Sequence, residues 1–111
     1  MTNYQTGHSA EKRAAVYLES KGFKIRELNW KNRYCEIDII AEKDGSIYFT
    51  EVKYRRNAKQ GSGLDYITSK KLKQMKFAAE MWVQNNNWTE DYQLAAISID
   101  ANETTFIDEL Q

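Results

Sequence analysis

Proline is absent from this chain of 111 residues, so no turn in it rests on a fixed proline φ and no slow X-Pro step enters its folding. A single cysteine, Cys35, excludes an internal disulfide framework and fits a reducing compartment. A single histidine, His8, has no second His or Cys to share a metal, so a zinc-type site is not expected. No apolar run is long enough for a transmembrane helix, and the polar start MTNYQTGHSAEK is unlike a secretory signal. A cytoplasmic location and no membrane partner follow as expectations. Net charge is zero, which argues against a generic polycation that coats nucleic acid. Hydrophobic residues make up 41% and charged residues 29%, enough for one folded core but not two, so residues 1–111 are expected to form one domain.

The zero net charge conceals an uneven distribution. Residues 1–52 carry eight basic and eight acidic side chains. Residues 53–76 carry eight basic side chains against Asp65 alone, and residues 77–111 carry seven acidic and no basic ones. A basic segment beside a carboxylate site suits a reader of phosphate backbones. A solvated lysine-rich helix followed by an acidic tail accounts for the same counts.

The most informative stretch is EIDIIAEKDGSIYFTEVK, residues 36–53. Asp44-Gly45 between alternating apolar runs signals a two-residue hairpin turn. Centring the turn there makes paired positions sum to 89, so Asp38 stands opposite Glu51 and Glu36 opposite Lys53. One face then carries Glu36, Asp38, Ile40, Phe49, Glu51 and Lys53. The other carries Ile37, Ile39, Ala41, Tyr48, Thr50 and Val52, a clean core face. Two carboxylates directly opposite lie roughly 4.5–5.5 Å apart at Cβ and repel. A divalent cation would remove that repulsion, and Mg²⁺ sites use one or two carboxylates with water and phosphate oxygens. Glu36 and Lys53 read as a cross-strand pair that holds the lysine in place.

Around this hairpin the elements follow in order. Ser9 reads as an N-cap for a helix to about Lys21, with Gly22 just beyond its end. Ala14, Ala15 and Leu18 make its apolar stripe, and Glu11 lies in line with it. Phe23–Trp30 reads as a strand with a bulge or an early end, because Ile25 and Leu28 have the wrong parity. Lys31-Asn32-Arg33 turns into the hairpin. The aperiodic segment 54–66 reads as a basic loop in which Arg55 and Arg56 are candidates for phosphate contacts. Thr68 caps a second helix to about Gln84, with Leu72, Met75, Ala78, Ala79 and Trp82 inward. Lys70 and Lys71 sit at its N-terminus, unfavourable for the helix dipole and therefore suggestive of a phosphate held there. Gln74, one turn on, is a further candidate. Tyr92–Ile99 reads as a buried strand and Thr104–Ile107 as an edge strand. Cys35 has no histidine near it in sequence to activate it as a nucleophile.

Asp38 followed by Glu51-Val52-Lys53 on the next strand looks like the active-site hairpin of the PD-(D/E)xK nuclease superfamily. Over roughly residues 7–99 the chain resembles the small bacterial YraN-like family within it, relatives of the archaeal Holliday-junction resolvases. AEKRAAVYLESKGF matches that family's first helix with its glutamate, here Glu11. Asn29-Trp30 followed by a basic residue matches as well, and so does a lysine opening the second helix, with Lys70 the favoured counterpart and Lys71 the other. Two departures stand out. Cys35 replaces the usual glycine before Glu-Ile-Asp, and Asp91-Tyr92-Gln93 replaces an Arg-Phe-Asp run.

The resemblance implies an α/β (α+β) domain with a restriction-endonuclease-like αβββαβ core, a central mixed sheet flanked by helices. It implies a DNA endonuclease using Mg²⁺ or Mn²⁺. Asp38, Glu51 and the Val52 carbonyl would bind the ion, and Glu11 would complete the shell or hold one of its waters. Lys53 would orient the attacking water or stabilise charge on the phosphate. Double-stranded, branched or damaged DNA and a homodimer are implied partners. Two other readings stay open: a non-catalytic nucleic-acid-binding module of the same fold, and a protein-interaction domain working through the acidic C-terminal third.

Overall fold

The computed structural model describes residues 3–54 and 67–110, with residues 3–9 as backbone only. Arg55 and Arg56 therefore lie outside the described residues, as does the side chain of His8. The elements run α1 (Asn3–Ser20), β1 (Lys24–Lys31), β2 (Glu36–Lys43), β3 (Ser46–Tyr54), α2 (Ser69–Asn85), β4 (Tyr92–Ile99) and β5 (Thr104–Leu110). The fold is α+β, with five strands in the order β1-β2-β3-β4-β5. Among the described residues only β3 and β4 run parallel, joined by the crossover through α2; the other neighbours are antiparallel. Among the described residues no helix is long and apolar enough to cross a membrane.

Helix α1 begins six residues before Ser9, so Ser9 is inside the helix and not its cap. Nothing in residues 3–9 forbids helix, and once a helix exists each further residue adds a hydrogen bond for one residue fixed. The C-terminal end is as expected. Gly22 takes φ +93°, and the Phe23 and Gly22 amides donate to the Leu18 and Glu19 carbonyls, a Schellman closure. Strand β1 carries the anticipated bulge, between Ile25 and Glu27. Thr68 caps α2 by accepting from the Lys71 amide at 3.1 Å. Strand β5 runs on to Leu110, three residues past the expected end.

The hairpin register is the expected one from Lys43–Ser46 through Ile39–Thr50, around Asp44 (φ 52°) and Gly45 (φ 81°). Positive φ at both central residues is the type I′ geometry.

Both faces of the sheet are covered. On one, Ala10, Ala14, Ala15 and Leu18 of α1 pack on Ile39, Ala41, Ile97 and Ile99. On the other, Met75, Ala78, Ala79 and Trp82 of α2 pack on Ile40, Ile47, Phe49 and Leu94. A parallel crossover requires such two-sided burial. The face bearing the carboxylates is thus a second core for half its length: Ile40 is 0% and Phe49 1% exposed. Ile37 corrects the alternation. It packs with Ile40 under α2, not with Ile39 and Ala41 under α1. β2 stays in register with β1 as far as Glu36, but its pairing with β3 ends at Ile39–Thr50, so Ile37 lies on a part of the strand held from one side only.

Candidate functional site

The β2–β3 ladder stops at Ile39–Thr50, one step before Asp38 and Glu51 would pair. Glu36 pairs instead with Lys31 of β1, and Lys53 with Ser98 of β4. The expected cross-strand partnerships Asp38–Glu51 and Glu36–Lys53 therefore do not form as backbone pairs. The Asp38 side chain takes the place of the missing ladder, its Oδ2 accepting from the Val52 amide at 2.8 Å. A charge-assisted bond of this kind favours the ionised carboxylate.

The surroundings oppose it. Burial pushes the Asp38 carboxyl up first, and the charge of Glu51 adds to it. Glu11 and Glu36 add further, outweighing the Val52 bond, and the pKa rises to about 7. Four carboxylates from three elements thus meet in one field: Glu11 on α1, Glu36 and Asp38 on β2, and Glu51 on β3. Local packing explains each placement. The Ala10–Ala14–Leu18 stripe turns half-buried Glu11 towards the sheet. The open end of the hairpin gives Asp38 and Glu51 room.

Glu51 has a cation of its own. Lys71 Nζ lies 2.9 Å from Glu51 Oε2, and both side chains are partly shielded, at 32% and 19% exposure. Lys71, and not the favoured Lys70, is therefore the helix lysine that enters the site. Thr68 starts the helix where position 71 faces β3, leaving Lys70 exposed. A cleft of about 390 Å³ opens beside this pair, between α2 and the β1–β2 turn. Gln74 lines it with Glu36, Glu51 and Lys71. Lys31, Tyr34 and Phe77 line it too, and none of these three stands out in the sequence as a site residue. A signal for Phe77 exists: it is an aromatic seven residues after Lys70, off the apolar stripe of α2. A larger cavity, about 640 Å³, lies at the hairpin-turn end beside Asp44 and Tyr92, and none of Glu11, Glu36, Asp38 and Glu51 lines it.

Lys53 is exposed, two residues beyond Glu51 on β3. Cys35 is pushed above its usual thiol range by burial, against the opposing hydrogen bond to Asn32, so it is a poor source of thiolate.

The donor set fits a hard divalent cation: carboxylate oxygens only, one of them desolvated and crowded by like charge. As placed, the groups are not a finished cage. Among the described residues no three acidic, His or Cys side chains gather closely enough to hold an ion. Asp38 is turned to Val52 and Glu51 to Lys71.

Comparison with known proteins places the chain. Residues 10–101 match the model of a family described as "Uncharacterised protein family UPF0102". The chain belongs to the UPF0102 family. A UPF0102 protein of Nitratiruptor sp. is 36% identical over 110 residues, covering 99% of this chain and 96% of the relative. Another, from Sulfurihydrogenibium sp., is 39% identical over 104 residues, covering 93% and 90%. A third, from Tropheryma whipplei, is 39% identical over 119 residues, covering 100% and 90%. The UPF0102 match takes in Glu11, Asp38, Glu51, Lys53, Lys71 and Gln74, so the site lies wholly within the shared region.

Proposed function

We propose that this UPF0102 protein is a divalent-cation-dependent DNA endonuclease. The observation that carries the reading is Asp38: a half-buried carboxyl at the open end of the hairpin, raised to about 7 by burial and by Glu51, Glu11 and Glu36. A desolvated carboxyl in the field of three others is costly in a merely structural role. Such a group suits a cation that takes the place of the Asp38 proton.

Asp38, Glu51, the Val52 carbonyl and Glu11 are the groups that would hold Mg²⁺ or Mn²⁺. The bound ion supplies Lewis-acid polarisation of the phosphate and a lowered water pKa. The remaining work falls to the chain's own side chains. Asp38 keeps its hold on the Val52 amide with one oxygen, which fixes the direction of the other. Lys53 positions the attacking water or meets the charge that develops on the phosphate. Lys71, paired with Glu51 at 2.9 Å, would meet a phosphate of the DNA backbone beside that carboxylate. Gln74 donates to the same phosphate. Arg55 and Arg56 are proposed backbone contacts further along the DNA.

The Glu51–Lys71 pair also favours a second reading, a DNA-binding module that needs no cation because Lys71 already supplies one. One experiment separates them: a panel of labelled single-stranded, duplex, flap and four-way DNAs with Mg²⁺ or Mn²⁺, using wild type and Asp38→Asn. Metal-dependent cutting that disappears in the variant is expected. Salt-sensitive binding without cutting by wild type, unchanged in Asp38→Asn, would establish the second reading in its place.

A further inference from the structure

Two aromatic side chains face water beside the carboxylate site. Tyr34 is 67% and Phe77 50% exposed. Both line the cleft already described, Tyr34 from the β1–β2 turn and Phe77 from α2. The turn is pinned to the helix: Asn32 Nδ2 and Cys35 Sγ approach Met81 Sδ at 3.7 and 3.8 Å. Asn32 Oδ1 in turn accepts from the Tyr34 and Cys35 amides at 2.8 and 3.0 Å. The wall that carries Tyr34 is therefore set before any ligand arrives.

The polar lining is mixed in charge. Lys31 and Lys71 face Glu36 and Glu51, with Gln74 between Lys71 and Phe77 along α2. Arg33 adds a further cation beside Tyr34, its guanidinium over the ring at 5.5 Å from the centre.

We infer that this cleft takes an unpaired base of a DNA strand, stacked on Tyr34 and Phe77, while Lys31, Arg33 and Lys71 hold the flanking phosphates. Exposed rings beside cations are the platform by which single strands are held without reading sequence. A base inside a duplex is stacked on both sides and offers no face to either ring, so the duplex alone leaves the rings unused. A volume of about 390 Å³ lies in the range of pockets that take one small ligand. The inference rests on reading the adjacent carboxylates as a DNA-cleaving site. It narrows the substrate to DNA with unpaired nucleotides next to the scissile phosphate, as at a flap or a branch.

The test is binding without chemistry. Fluorescence anisotropy in EDTA at low salt compares a labelled oligothymidine strand with a duplex of equal length. Tyr34→Ala and Phe77→Ala are each expected to weaken strand binding about tenfold, and the double variant about a hundredfold. Tyr34→Trp restores the affinity, and duplex binding stays where it was. Circular dichroism should show all variants folded, since both side chains are exposed and neither belongs to a buried core cluster.

Unchanged strand affinity in the double variant would overturn the inference, as would an equal loss on duplex. So would a wild-type dimer that the alanine variants dissociate while strand affinity persists, because the rings would then serve a second copy of the chain. Failure of the nuclease reading is separately visible. Ring-dependent strand binding with no cleavage under any metal condition removes the nuclease and leaves the stacking site. Cleavage with ring-independent binding removes the stacking site alone.

Discussion

Asp38→Asn should make this protein more stable at pH 8. The Asp38 carboxyl rises from 3.8 in the unfolded chain to about 7 in the fold. Between those values the native state keeps a proton that the unfolded state has lost. Stability from this group is therefore fully present below about pH 4 and falls as pH rises through 7. Taken whole, the shift is worth about 4 kcal/mol. Asp38 is only half buried, and water screens its neighbours, so about 1–2 kcal/mol is expected. Asparagine removes the charge and retains an oxygen for the Val52 amide, 2.8 Å from Asp38 Oδ2 in the wild type. Urea unfolding in EDTA at pH 8, 6 and 4 is the assay, read as a change in midpoint at constant slope. The variant should exceed wild type at pH 8, exceed it by less at pH 6, and match it at pH 4. Adding Mg²⁺ at pH 8 should stabilise wild type and leave the variant unmoved. A variant that is less stable at pH 8, or a difference that ignores pH, would refute the claim that crowding and burial penalise this carboxylate.

Two further outcomes test the frame around the site. Lys71→Ala should cost under about 1 kcal/mol, as a partly exposed ion pair. In a salt titration of DNA binding, it should reduce the log–log slope by about one phosphate contact and weaken binding more than Lys70→Ala does. Trp82 is 1% exposed, packs on Phe49 at 5.6 Å and donates its indole N–H to Glu27 at 2.7 Å, so Trp82→Ala should cost about 3–5 kcal/mol in urea unfolding. A loss under about 1 kcal/mol would show that α2 is not anchored through this ring.

Much of the scaffold follows from local chemistry and is readable in the chain. Asp44-Gly45 dictates the hairpin and its register because both positions tolerate positive φ. Gly22 ends α1 and Thr68 starts α2 for equally local reasons, the first a left-handed residue and the second a side-chain acceptor. The parity conflict between Ile25 and Leu28 marks the β1 bulge. The hairpin pattern brings Asp38 into the field of Glu51, and the membership in UPF0102 agrees with the family resemblance of the same stretch.

Other features depend on contacts between distant parts of the chain. Pattern alone extends the β2–β3 pairing through Asp38–Glu51; the folded chain ends it at Ile39–Thr50. Nothing in the local sequence encodes that opening, because it is where Ile37 leaves one core for the other. Lys70 and Lys71 are equivalent as letters. Only the rotation of α2 on the sheet, fixed by Met75, Ala78, Ala79 and Trp82, puts Lys71 on Glu51. Tyr34 and Phe77 are 43 positions apart in the chain. They share a cleft because the β1–β2 turn docks on Met81. The sequence by itself determined the hairpin turn, the Gly22 stop and the Thr68 cap, since each depends on a few adjacent residues. The tertiary structure decided which lysine enters, where the hairpin opens and what lines the cleft, since burial, charge and docking act between groups that are neighbours only after folding.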